Sequence, residues 1–104
     1  MTLPEKLKWL AVDLDNTLAN HGPAPDYVLL DPIPENVQKL RECVALGYKI
    51  VIHTSRHWEL YKEIEEWLDK HSIPYKAIVC GKILAHRYID DKAIPADADW
   101  KEYL

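Results

Sequence analysis

The feature that most constrains this chain is a rhythm of short apolar runs, each ending in polar residues, with helix-patterned stretches between several of them. Lys8-Trp9-Leu10-Ala11-Val12-Asp13-Leu14, Lys49-Ile50-Val51-Ile52-His53, Ala77-Ile78-Val79 and Tyr88-Ile89 are the runs. They are too short for helices and too uniformly apolar for half-exposed strands, which suits strands of a parallel sheet. From Pro34, a residue suited to a first helical turn, Val37, Leu40 and Val44 recur at helical spacing, and Gly47 is placed to end the helix. Leu60, Ile64, Trp67 and Leu68 mark a second helix, broken at Ser72-Ile73-Pro74. Strands alternating with helices predict βαβ units, hence an α/β fold with a central parallel sheet covered on both faces. Residues 19–34 hold four prolines and a glycine and read as a loop or flap, with Tyr27-Val28-Leu29-Leu30 as a candidate short strand. Residues 97–104 read as a last helical turn.

At 104 residues, 1–104 reads as a single domain with one core and no room for a separate lid. Hydrophobic residues make up 48%, a globular composition. No run of about 20 apolar residues is present, so no membrane span is expected. The opening Met1-Thr2-Leu3-Pro4-Glu5-Lys6 lacks a signal peptide's apolar stretch. Cys43 and Cys80 read as reduced core residues, which points to the cytoplasm. The net charge of −4 argues against non-specific nucleic-acid binding.

Unusual polar groups follow each apolar run: Asp13, Asp15 and Thr17; then Thr54, Ser55 and Arg56; then Lys82; then Asp90 and Asp91. In a parallel sheet these groups meet along one edge, where ligands of such folds bind. Crowded carboxylates are tolerable around a hard cation, and Mg2+ prefers such oxygen ligands. A carboxylate can attack phosphorus, and a second carboxyl two residues on can protonate the departing alcohol and later activate water. Lys82, the Thr54 hydroxyl and the amino end of a helix after Ser55 would surround a phosphoryl group with positive charge and donors.

Asp13-Leu14-Asp15-Asn16-Thr17-Leu18 resembles the first motif of the haloacid dehalogenase superfamily of phosphatases. Ile50-Val51-Ile52-His53-Thr54-Ser55 resembles its second, Lys82 its third-motif lysine, and Ile89-Asp90-Asp91 its acidic fourth motif. The four fall in order over about residues 8–95. The resemblance implies a three-layer Rossmann-like core with a minimal flap and no cap domain. It also implies a Mg2+-dependent phosphomonoester hydrolase working through an aspartyl-phosphate. Asp13 would then be nucleophile and metal ligand. Asp15 would be general acid/base, its carbonyl also on the metal. Thr54, Ser55 and Lys82 would bind the phosphoryl group, and Asp91, with Asp90, would complete the metal site. Capless relatives act on large substrates such as polynucleotide ends, or on sugar-acid phosphates. The sequence departs from the family pattern at His53, where an aromatic is common, at Ile83 in place of proline, and at His86 in place of an acid.

Blander readings stand beside these. Asp13 and Asp15 could form a polar turn and Asp90-Asp91 an exposed cap. His53 reads as a core histidine. Arg56, His57 and Trp58 are either substrate contacts or an ordinary helix start. A catalytically silent binding domain would have lost Asp13, Asp15 or Lys82, and all are present. A phosphotransferase is the remaining alternative. The open site and aromatics such as Trp58 and Trp100 favour a homo-oligomer.

Overall fold

A computed structural model describes residues 8–25 and 27–104. Three strands form one parallel sheet in the order β1-β2-β3, with β1 at Trp9–Val12, β2 at Lys49–His53 and β3 at Ala77–Val79. Helix α1, Pro34–Ala45, connects β1 to β2. Helix α2, Tyr61–Lys70, connects β2 to β3 and is preceded by a 3₁₀ turn at Trp58–Leu60. The register pairs Ala11 with Val51 and Val51 with Ala77.

The ends of α1 follow from its sequence. Pro34 sits at the first turn. At the other end Gly47 takes φ 96°, which a glycine adopts without a Cβ penalty. The Tyr48 N–H donates to the Cys43 carbonyl and the Gly47 N–H to the Val44 carbonyl, the two bonds of a Schellman stop.

The pleat sorts the strands into two faces. Leu10, Val12, Ile50, Ile52 and Ile78 point inward, where all but the half-buried Leu10 are buried with Val37, Leu40 and Cys43 of α1 and Ile64, Trp67 and Leu68 of α2. Trp9, Ala11, Lys49, Val51, His53, Ala77 and Val79 point the other way and retain exposure. Two right-handed crossovers that step in the same direction, β1 to β2 to β3, put both helices on one side. Among the described residues the fold therefore has two layers, where a sheet covered on both faces and a three-layer core were expected. His53 accordingly lies on the open face and is partly exposed, not a core histidine.

The expected fourth strand does not form. Tyr88 and Ile89 lie in an exposed, irregular stretch. A parallel partner would need a crossover of about a dozen residues, and only residues 80–87 separate Val79 from Tyr88. Tyr27–Leu30 is also irregular; an isolated antiparallel bridge between Ala19 and Pro32 closes the flap instead. The chain ends in a 3₁₀ turn, Trp100–Tyr103, which packs on α1 and buries Trp100. Trp100 is thus a core residue and offers no surface for self-association. No helix among the described residues is long and apolar enough to cross a membrane.

Candidate active site

Asp13 is the first residue past β1, and Thr54 the first past β2, so both stand at the carboxyl edge of the sheet. The loop after Asp13 is wound tightly around one acceptor. The Leu14 carbonyl takes the N–H groups of Thr17, Leu18 and Ala19, at 3.2, 2.8 and 2.9 Å. Asn16 supplies the left-handed residue this needs, with φ 62°, a conformation that asparagine tolerates better than most. Leu14 and Leu18 plug the loop into the core. Asn36, buried in the first turn of α1, donates from Nδ2 to the Thr17 carbonyl at 2.8 Å and fixes the loop to that helix. Asn36 is nearly silent in the sequence. Its one signal was an amide in a helix turn that otherwise presents Val37 and Leu40 to the core.

The Asp13 Oδ1 accepts from the Leu14 N–H at 2.9 Å, and the side chain is half-buried. Asp15 meets Arg56 in a two-point ion pair. Arg56 Nε donates to Oδ2 and Nη2 to Oδ1, each at 2.8 Å. Such a fork matches guanidinium to carboxylate geometry and fixes both partners. Arg56 Nη2 also reaches the Val28 carbonyl of the flap at 3.3 Å, and His21 Nδ1 lies 3.8 Å from Asp15 Oδ1.

Thr54 is fully buried, and its hydroxyl accepts from the Arg56 N–H at 3.1 Å. Its carbonyl accepts from the Lys82 N–H at 2.9 Å, and the Arg56 carbonyl accepts from the Gly81 N–H at the same distance. These bonds bring the loops after β2 and β3 together. The Lys82 ammonium itself lies over the Tyr88 ring, 4.4 Å from its centroid. Trp58 stands beside Gly81, with Nε1 3.4 Å from where a Cβ would sit.

Asp90, Asp91 and Ser55 lie elsewhere than expected. Asp90 and Asp91 do not join Asp13 and Asp15: both are exposed, and Asp90 Oδ1 accepts from the Lys92 N–H, as a local turn cap does. No cluster of three acidic, histidine or cysteine side chains able to hold a metal forms among the described residues. Ser55 is exposed and opens no helix; residues 55 and 56 bend, and α2 starts only at Tyr61. His57 caps the 3₁₀ turn, its Nδ1 accepting from the Glu59 N–H at 3.1 Å, the ordinary helix-start role. The flap residue Asp26 lies outside the described residues.

Cys80, next to this edge, is buried and unpaired, as is Cys43. Burial raises both thiols; for Cys43 the neighbouring Glu42 charge adds to it. A surface groove lined by Arg41, Val44, Asp69, Ser72, Ile73 and Pro74 lies at the carboxyl ends of α1 and α2.

No family model matches the sequence, and no curated protein matches it. Among solved structures, a structural-genomics target from Vibrio cholerae is 35% identical, with a TM-score of 0.76 over 92% of this chain and 93% of that one. Two structures of a Pnkp1/Rnl/Hen1 complex match at 22% and 20% identity, with TM-scores of 0.64 and 0.63. They cover 86% and 84% of this chain, which spans about a third of the matched chains, 32% and 30%. At that identity they show a shared fold. The chain belongs to the same protein family as the Vibrio cholerae protein.

Proposed function

We propose that this chain is a phosphomonoester hydrolase of the haloacid dehalogenase type, with Asp13 as nucleophile and a phosphorylated polynucleotide end as substrate. The observation that carries the reading is the junction of two loops. The Asp13–Asp15 turn and the Thr54–Arg56 turn are locked together by the ion pair between Asp15 and Arg56.

The chemistry divides among these residues. The Asp13 carboxylate attacks phosphorus, and the bond to the leaving oxygen breaks as Asp15 passes it a proton. Asp15 then takes a proton from water, which attacks phosphorus, releases phosphate and restores the Asp13 carboxylate. In the structure Arg56 holds Asp15 as an acceptor. An incoming phosphoryl dianion competes for the same guanidinium, and its arrival releases Asp15 to carry a proton. Lys82 is tethered by its backbone to Thr54, and its ammonium, which rests on the Tyr88 ring in the structure, would supply positive charge to the phosphoryl oxygens.

Magnesium is usually held by one or two carboxylates together with substrate phosphate, and with Asp90 and Asp91 at the surface the proposed site offers the Asp13 carboxylate. The Asp13 carboxylate and the Asp15 carbonyl would hold it. When bound, it would neutralise charge on the transferred group.

Two things favour a polynucleotide. One fold neighbour is described as an RNA repair complex. Trp58, 53% exposed, stands beside Gly81 and Tyr88 lies against Lys82, and such faces stack on bases.

The test is phosphate release with Mg2+ from 3′- and 5′-phosphorylated oligonucleotides, a sugar-acid phosphate and p-nitrophenyl phosphate. Wild type should act best on an oligonucleotide, and Asp13→Asn should lose activity by at least about 1,000-fold while keeping its melting temperature. A wild type inactive on the whole panel would overturn the reading.

A further inference from the structure

Apart from Tyr88, which lies against Lys82, two apolar surfaces play no part in the proposed chemistry. One is the open face of the sheet, which carries Trp9, 43% exposed, together with Ala11, Val51 and Val79. The other is the segment 83–91, where Ile83 and Leu84 are 79% and 85% exposed and Ile89 is fully exposed. Parallel sheets are ordinarily covered on both faces, and apolar patches of this kind mark interaction sites.

We infer that a second copy of this chain covers the open face with its 83–91 segment, and receives the same in return. Each copy carries both surfaces, which is what a closed two-fold dimer requires. The charges match as well. Lys49 stands on the open face, its ammonium 5.4 Å from the Trp9 ring centroid, and the segment ends in Asp90-Asp91.

The segment of the same chain is held elsewhere. Its start is fixed at the carboxyl edge by the bond from Lys82 N–H to the Thr54 carbonyl. The Tyr88 hydroxyl, bonded to the Ile83 carbonyl, folds it into a local loop with Ile83, Leu84 and Ile89 outward. Lys8 and Lys49 lie at the amino edge, the length of a strand away, about 13 Å.

Sedimentation equilibrium of the full chain tests this independently of any activity. Wild type should be dimeric by about 100 µM, as an interface of roughly 800 Å² per partner allows. Ile89→Asp, at a fully exposed position, should keep the far-ultraviolet circular dichroism and raise the dimer dissociation constant at least about tenfold. Lys49→Glu should weaken the dimer, and adding Asp91→Lys to it should restore association. A wild type monomeric throughout that range, or a dimer indifferent to Ile89→Asp, overturns the inference.

Discussion

Arg56 is the residue on which the site turns. Its backbone N–H rests on Thr54, its carbonyl holds Gly81, and its guanidinium grips Asp15. A charge-assisted contact of this kind contributes about 1.5–3 kcal/mol. Arg56→Ala is therefore expected to lower kcat/KM for phosphomonoesters by about 10- to 100-fold, read from initial rates. A second residue-scale expectation concerns pH. Burial first, and then the hydrogen bond to Asp69, raise the Tyr75 phenol from 10.0 to about 12. The folded state thus favours the protonated phenol. Its stabilising contribution is complete below pH 10 and is lost as pH climbs from 10 toward 12. Urea titrations across that window should show a decline in wild type that Tyr75→Phe lessens.

The elements differ in how strongly their own residues specify them. Helix α1 carries its start in Pro34 and its stop in Gly47, and both act as local chemistry requires. Helix α2 has no side-chain cap at its amino end, where a 3₁₀ turn leads into it, and at its other end Arg41 Nη2 donates to the carbonyl of the cap residue His71 at 3.2 Å. It is held by its apolar stripe. Ile64→Ala, at a fully buried position on that stripe, is expected to cost about 2–5 kcal/mol by denaturant unfolding. Glu66→Ala, on the exposed side, should stay within about 0.5 kcal/mol. Tyr88-Ile89 shows the limit of reading elements from pattern. It has the same apolar-then-acidic pattern as the end of β1, but a strand exists only beside a partner, and residues 80–87 are too few for the crossover that would provide one.

At the scale of the molecule, one core joins both helices, the inner sheet face and Trp100. Cys43 and Cys80 report on that core from two places. Their buried, raised thiols should resist alkylation at neutral pH, and both should react at the same denaturant midpoint if the core opens as a unit. A different midpoint for Cys80 would mark the site edge as a separate unfolding unit. By itself the sequence determined the three strands, the two helices between them and the place of Asp13 and Thr54 just past the ends of β1 and β2, because strand period, helix period and turn chemistry act over a few residues. Tertiary structure decided the rest. The one-directional strand order left a sheet face open, Arg56 found Asp15 across forty residues of chain, and Asp90-Asp91 stayed at the surface. Each of these depends on where separate elements lie relative to one another, which no local spacing encodes.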